Sequence, residues 1–414
     1  MTKMSLRSLP EYDVVIAGAG PVGMALAVAL HHLSHRKILM VEAQEAPILP
    51  LPRLAADQGR ILALSWSSVQ TLSALGIWQN LGPQAIPLST IHVSQHGWLG
   101  STLLHAASLG VGALGWVVRE PALRSALHQA LAAAGIEVRY GTRLVRAMPS
   151  VSHTTLQLSN DSKPLSASLL VGADGTESSV RTMFDVPVRR RNLSQHALVF
   201  TLRGAADLGS MAYERFLGEG VLGVLPLGAR QVGCTYVADM QRVQQLAAQP
   251  EPVFLQEVDA MMGGRLHPEA LLGAPRRFAL PWLMAQAITA PRMVLIGNAA
   301  HTLHPIAAQG FNLGLRDVAA LVLALTGKHD PGSQDILASH TQERLADYRQ
   351  TAGWLQALLA LFGARLPGLP LLRGAGLSLA DVAPGLGEMV SLWGMGTGKP
   401  YLPALWKGGL HRAS

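Results

Sequence analysis

A β-prone run, Tyr12 to Ala17, ends in Gly18-Ala19-Gly20-Pro21-Val22-Gly23 and passes straight into a helix-forming stretch. Few folds accept that order. Gly18 permits the tight turn, Gly20 admits a phosphate group to the backbone, and Gly23 lets helix and strand pack closely. Lys37 to Val41 reads as the next strand and ends at Glu42, a carboxylate placed to accept hydrogen bonds from a ribose. The pattern is the βαβ start of a dinucleotide-binding sheet, and alone it does not separate FAD from NAD.

Two later turns have a similar form. Leu169 to Ala173 leads into Asp174-Gly175, with Ser178, Ser179 and Arg181 just beyond. Standing alone, that segment reads as an ordinary Asp-Gly turn. Near the other end of the chain, an apolar strand from Val294 enters Gly297-Asn298-Ala299-Ala300-His301. A loop with His304 and Pro305 follows, and Gln309-Gly310 and Asn312 open a helix that runs through Asp317 to about Leu325. Small residues at 297, 299 and 300 leave room for a cofactor against the backbone. The helix aims its positive end and unpaired N–H groups at whatever precedes it, and a ring that gains negative charge on reduction suits that place. His301, His304 and Pro305 are candidate catalytic positions. The competing reading has the histidines hydrogen-bonding locally beside a cofactor. No second ligand cluster supports a metal site.

Between these turns, Pro121 to Ala134 reads as a helix with proline in its first turn. Short strands at Ala197–Arg203, Met211–Phe216, Gly220–Leu225 and Gln231–Val237 suggest an antiparallel sheet. Arg189-Arg190-Arg191 reads as a solvated linker. Further helices are expected over Pro252–Met262 and Gln342–Phe362, and the last fifty residues are Leu-rich and broken by Gly and Pro.

The 414 residues suffice for two domains, or for one with a large insertion. Hydrophobic residues make up 49% and charged residues 14%, with no uninterrupted apolar run of about 18 residues to span a bilayer. The opening MTKMSLRSLP lacks the apolar core of a signal peptide. Cys234 is the only cysteine, which fits a reducing cytoplasm. The net charge of +7 comes with only 5% aromatic residues and no basic-aromatic interleaving. That argues against nucleic acid and for an anionic cofactor or membrane surface.

The three turns, in this order, resemble those of the class A flavoprotein aromatic hydroxylases. Asp57-Gln58-Gly59-Arg60-Ile61-Leu62-Ala63-Leu64-Ser65, Gly76-Ile77-Trp78, Ile91-His92-Val93-Ser94 and the block from Gly297 to Asp317 are similar to those of the ubiquinone-biosynthesis hydroxylases, most of all the 2-polyprenyl-6-methoxyphenol hydroxylase branch. The similarity covers roughly residues 10 to 362.

The resemblance implies an α/β fold of the para-hydroxybenzoate hydroxylase type, with a Rossmann-type βαβ start and an inserted antiparallel-sheet substrate domain. Residues 10–85, 112–190 and 281–362 would form the FAD-binding domain, 86–111 and 191–280 the substrate domain, and 363–414 an apolar C-terminal segment. Gly18, Gly20, Gly23 and Glu42 would hold the ADP half of FAD. Arg60 and Arg124 would lie near the pyrophosphate or flavin, and Asp174 and Gly175 near the phosphates. Gly297 and Asn298 would contact ribityl, and the stretch from Pro305 through Gln309 and Gly310 to Asn312 would face the isoalloxazine. Many relatives carry Asp where this chain has Asn298.

The implied chemistry is reduction of FAD by NADH or NADPH, reaction with molecular oxygen to a flavin hydroperoxide, and hydroxylation of a polyprenyl phenol. The base that draws off the phenol proton stays open among His92, Tyr213, His301 and His304. Such a substrate implies a cytoplasmic protein at the inner face of the bacterial inner membrane, in peripheral contact with lipid and with other ubiquinone-biosynthesis proteins. Two alternatives stand beside this reading: hydroxylation of a small soluble aromatic, and a flavin-holding scaffold with little turnover.

Overall fold

The computed structural model describes residues 9–48, 60–81, 84–98, 100–204, 206–303, 309–363 and 374, without the side chains of 193, 359 and 361–363. The chain opens as its first motif predicts. β1 (Tyr12–Ala17) enters α1 (Pro21–Ser34), which has Pro21 in its first turn, and β2 (Ile38–Val41) follows. Both faces of β1 and β2 are almost wholly buried, as parallel strands with helices on each side require. β3 (Ile61–Ser65) leads into α2 (Trp66–Ala74), whose first N–H groups are capped by Ser65. β4 (Ile86–Leu88), β5 (Thr90–Gln95) and β6 (Ser101–His105) precede β7 (Gly115–Arg119) and α3 (Glu120–Ala133). Then come β8 (Glu137–Arg139), β9 (Leu144–Pro149), β10 (Thr154–Leu158), β11 (Leu165–Gly172) and the short α4 (Ser179–Met183).

The middle of the chain is mostly strand: β12 (Val188–Arg203), β13 (Met211–Leu217), β14 (Gly220–Gly228) and β15 (Gln231–Asp239). α5 (Met240–Ala247) and α6 (Glu251–Met261) cover one face of these strands, and β16 (Ala270–Ala285) completes the run. β17 (Thr289–Ala290), β18 (Met293–Leu295), β19 (His301–Thr302), α7 (Gln309–Leu325) and α8 (Gln334–Gly363) close the described structure.

Three sheets result. The first has the order β17-β18-β11-β1-β2-β8, its members from β18 to β8 parallel, with β10 and β9 added antiparallel through β11. The second runs β19-β16-β12-β15-β14-β13-β5-β6, antiparallel except where β13 meets β5. A small third sheet, β3-β7-β4, lies beside them. α1 packs between α3 and α7, and its buried stretch Gly23–Leu30 has no polar side chain. Each fully buried Leu or Val there contributes roughly 1.5–3 kcal/mol.

Arg189, Arg190 and Arg191 are not a linker. They are the start of β12, paired with Met284, Leu283 and Trp282 of β16. Their backbone is held by that ladder, while Arg190 pairs with Glu177 and Arg191 lies over the Trp282 ring. β16 itself is hard to see in sequence because Gly273 and two prolines interrupt it. Gly273 to Pro275 lie in a register shift of the ladder, and Pro281 sits opposite Asn192, next to a second shift. α8 starts at Gln334, ahead of the expected Gln342. No described helix is long and apolar enough to cross a membrane. The apolar C-terminal segment lies outside the described residues, apart from Gly374.

Candidate active site

The first turn is held by close backbone contacts. Gly18 has φ +105°, and a Cβ there would come within 2.4 Å of the Ala173 carbonyl oxygen. At Gly23 a Cβ would meet the Gly18 oxygen at 2.2 Å. Gly20 is different, since a Cβ added there meets nothing within 4 Å. Gly20 stands before α1, whose N-terminus no side chain caps. The space above Gly20 and the uncapped helix end together suit a phosphate group. Glu42 lies at the same edge of the sheet. Its carboxylate accepts hydrogen bonds from the Ala19 N–H at 2.7 Å and the Gln44 N–H at 2.9 Å, leaving lone pairs for a ribose. Arg124 on α3 reaches the same region. Burial and the Glu42 carboxylate raise the Tyr140 phenol, and Arg124 opposes them.

The second turn joins the first directly, as the Ala173 N–H donates to the Ala17 carbonyl at 2.8 Å. Asp174 points into its own neighbourhood, accepting hydrogen bonds from the Ser178 and Ser179 hydroxyls and from the N–H groups of Ser179 and Val180. It therefore caps the start of α4. Gly175, with φ +86°, completes the turn. The buried Arg181 binds the second turn to the third by donating to the carbonyls of Thr176 at 2.8 Å and Ala299 at 3.0 Å.

The third turn sits against the first. Gly297 has φ +56°, and a Cβ there would press on Val22 at 3.2 Å. Gly314 on α7 approaches the same valine even more closely, so the sequence-distant ends of the chain close on α1. Asn298 is exposed. His301 is fully buried, and its Nε2 lies 2.8 Å from the Asp317 carboxylate. Its Nδ1 has no partner among the described residues.

Asp317 is the centre of a buried network that the motifs alone do not single out. One oxygen accepts from the Gly297 N–H at 2.9 Å as well as facing His301. The other accepts from Arg344 Nε at 2.8 Å and the Tyr348 hydroxyl at 2.7 Å. Burial alone would raise this carboxyl, but Arg344 and His301 hold it well below the usual carboxylate range. Arg344 also donates to Asp347, which pairs with Arg316 at 2.8 Å. The sequence signal for this network was the lone acid among buried apolar positions on α7, matched by Arg344 and Tyr348 one turn apart on α8.

The other expected residues divide. A Cβ at Gly310 meets nothing within 4 Å among the described residues, which suits a flat ring lying against the start of α7. Gln309 is buried, with its side-chain oxygen 3.4 Å from Arg316 Nη2. The Asn312 carboxamide faces β3, accepting from the Ser65 N–H at 2.9 Å and the Ser68 hydroxyl at 2.8 Å and donating to the Ala63 carbonyl at 3.0 Å. It locks α7 to β3. Arg60 is exposed at the start of β3, and its carbonyl accepts the Glu120 N–H. His304 and Pro305 lie outside the described residues. No group of three or more metal-ligating side chains occurs among the described residues.

Comparison with known proteins gives the family and the fold. A family model described as an FAD-binding domain matches residues 11–354. The ubiquinone hydroxylase UbiL of Rhodospirillum rubrum is 30% identical over 408 residues, covering 96% of this chain and 92% of its own. The 3-demethoxyubiquinol 3-hydroxylase of Escherichia coli is 29% identical over 389 residues, covering 90% of this chain and 95% of its own. In fold, PqsL of Pseudomonas aeruginosa, a probable FAD-dependent monooxygenase, superposes with a TM-score of 0.71 at 20% identity, over 88% of this chain and 99% of that one.

Proposed function

The chain belongs to the FAD-binding monooxygenase family, and from that premise we propose that it hydroxylates the ring of a polyprenylated phenol in ubiquinone biosynthesis. The observation that carries the reading is the convergence of three sequence-distant glycine turns on α1, with space above Gly20 and Gly310 that no described residue fills. The names of the two hydroxylase relatives support the substrate class.

When bound, FAD supplies the redox chemistry, taking hydride from NADH or NADPH and activating molecular oxygen for transfer to the ring. The protein binds and orients. The first turn of α1 and Arg124 would hold the pyrophosphate, with Arg60 nearby, and Glu42 would accept from the ribose. Gly297 and Asn298 would lie along the ribityl chain. Asn298 keeps donor and acceptor capacity there, while the carboxylate of this region, Asp317, is spent behind the turn on Arg344, Tyr348 and His301. We read His301 as a positioning residue of that turn. The N-terminus of α7 would favour negative charge on a ring bound before it by about 0.5–2 kcal/mol.

On the substrate side, one apolar cluster joins Ala299, Ala300, Leu303 and Leu313 to Phe216, Val221 and Trp282 of the second sheet. That surface keeps water from the reacting atoms. A prenyl tail places the working protein at a membrane surface, consistent with its net charge of +7.

The test uses purified protein with FAD. NAD(P)H oxidation should accelerate when a prenylated phenol is added, with the hydroxylated ring as product. Cells lacking the protein should accumulate an under-hydroxylated prenyl phenol by mass spectrometry. A folded protein that takes up no FAD refutes the reading.

A further inference from the structure

The second sheet has two faces with different company. Side chains alternate along β13, so Tyr213, Arg215 and Leu217 share one face and Ala212, Glu214 and Phe216 the other. Tyr213 and Leu217 pack in the cluster under α5 and α6. Ala212 clusters with Ile61 of β3, and Phe216 with Ala299, Ala300 and Leu303 of the third glycine turn. Glu214, between Ala212 and Phe216, therefore faces the cleft between this sheet and the cofactor cradle.

Its surroundings there are apolar or small. The row across the sheet reads Val93, Glu214, Gly223, Thr235, Val199. The Glu214 carboxylate leans over Gly223, with one oxygen 3.6 Å from where a Cβ would stand. Glu214 is partly accessible, yet it has no hydrogen bond or ion pair among the described residues. A carboxylate on the inner face of a sheet, with no partner supplied by the fold, is costly unless a ligand completes it.

We propose that Glu214 contacts the hydroxyl of the bound phenol and takes its proton, so that the ring is attacked as the phenolate. The phenol O–H bond breaks and an O–H bond forms on the Glu214 carboxylate. The hydroxylated ring carbon then loses its C–H proton to water, and as the ring recovers its aromaticity the carboxyl returns the phenol proton to the same oxygen. NAD(P)H and oxygen, already required by the monooxygenase activity, supply the electrons and the oxygen atom. The inference rests on the proposed phenol hydroxylation.

Burial pushes the Glu214 carboxyl up to about 7, which suits an acceptor working near neutral pH. Among the described residues, the other charged or titratable groups on elements bordering this cleft include Arg60 before β3, Arg119 opposite Ile61 and donating to Gln231, Arg203 and Arg276 on the Val199 side, and His301, which is committed to Asp317. His304 lies outside the described residues. Two of the residues considered for the base from sequence, Tyr213 and His92, are on the wrong face. Tyr213 lies toward α5 and α6, and His92, opposite it at 5.2 Å between ring centroids, lines a separate open cavity of about 410 Å³ with Ser94, Arg215 and Arg265.

The experiment compares FAD-loaded wild type, Glu214→Gln and Glu214→Asp with 2-allylphenol, a soluble phenol with an apolar ortho substituent. Two quantities are followed across neutral pH: the rate of product formation and the dissociation constant of 2-allylphenol, read from flavin fluorescence. In wild type the rate should rise through pH about 7 and binding should tighten over the same interval. Glu214→Gln should lose both pH dependences and about 100-fold in rate. Glu214→Asp should keep the rising limb at a reduced rate. Wild type that responds to 2-allylphenol while Glu214→Gln keeps the same limb overturns this inference alone. Wild type that takes no FAD, or whose NAD(P)H oxidation ignores the phenol, overturns the proposed function and this inference with it.

Discussion

Asp317→Asn tests whether the buried network under the third turn holds the fold as well as the site. The wild-type carboxylate meets four donors: the Gly297 N–H, His301 Nε2, Arg344 Nε and the Tyr348 hydroxyl. An amide keeps the shape but loses the charge, and its nitrogen cannot accept from two of those donors. Arg344 is fully buried and keeps only Asp347, which it already shares with Arg316. Removing one partner of such a pair costs about 3–5 kcal/mol. Stabilities of whole domains are about 5–15 kcal/mol, so the loss is large.

The assay is urea unfolding of FAD-free protein, repeated in an Arg344→Met background. If Asp317 acts through Arg344, the second substitution should recover part of the loss, with a coupling of about 0.5–3 kcal/mol. The pH dependence has a definite sign. Asp317 is held below its ordinary value of 3.8, so its contribution is complete at neutral pH and disappears only as pH falls through the lower folded value. Wild type and variant should therefore converge only in strong acid. A loss below about 1 kcal/mol, or one unchanged by Arg344→Met, refutes the reasoning.

Gly18→Ala and Gly20→Ala should separate folding from cofactor binding. The first collides with the Ala173 backbone and should lower the melting temperature of FAD-free protein; the second meets no atom of the described residues and should weaken FAD alone, as a cofactor titration would read. Glu42→Gln should weaken FAD about tenfold through loss of a charge-assisted hydrogen bond of about 1.5 kcal/mol, measured by fluorescence on flavin release. His340 is lowered to about 4, chiefly by burial, so it is neutral in the fold and charged in the unfolded chain at mildly acid pH. Stability should fall as pH drops from about 6.5 toward 4, and His340→Leu should flatten that slope in acid-unfolding curves.

The glycine turns were legible in sequence because their constraints are local. Gly18, Gly23 and Gly297 are glycines for backbone reasons that a short motif displays. Asp174 was legible as a position, though it caps α4 rather than reaching outward. The Asp317 network was not, because its members are joined only when α8 folds back on α7, and nothing near Asp317 in sequence announces Arg344. Glu214 was hidden for a related reason. Its meaning depends on which face of β13 meets the cradle, and alternation shows two faces without saying which is inside. β16 was missed because Gly273, Pro275 and Pro281 argue locally against a strand, and the ladder accommodates them at or beside its irregularities.

β12 and β16 are each 16 residues, a length on the order of 50 Å if extended, and they pair from Val188 opposite Ala285 to Arg203 opposite Ala270. At its near end this two-stranded ribbon is tied to the cradle, where the Ala285 N–H donates to the Ala300 carbonyl. At its far end it carries the plate of strands from which Glu214 projects. Its pairing is interrupted between Asn192 and His196 and again between Val199 and Thr201. Such interruptions are where a ribbon bends with least loss of hydrogen bonding. β15 pairs with β12 without interruption from Gln195 to Arg203, so a bulky guest pushing the plate outward would turn it about a crease at the gap between Asn192 and His196, leaving the glycine turns at the root undisturbed.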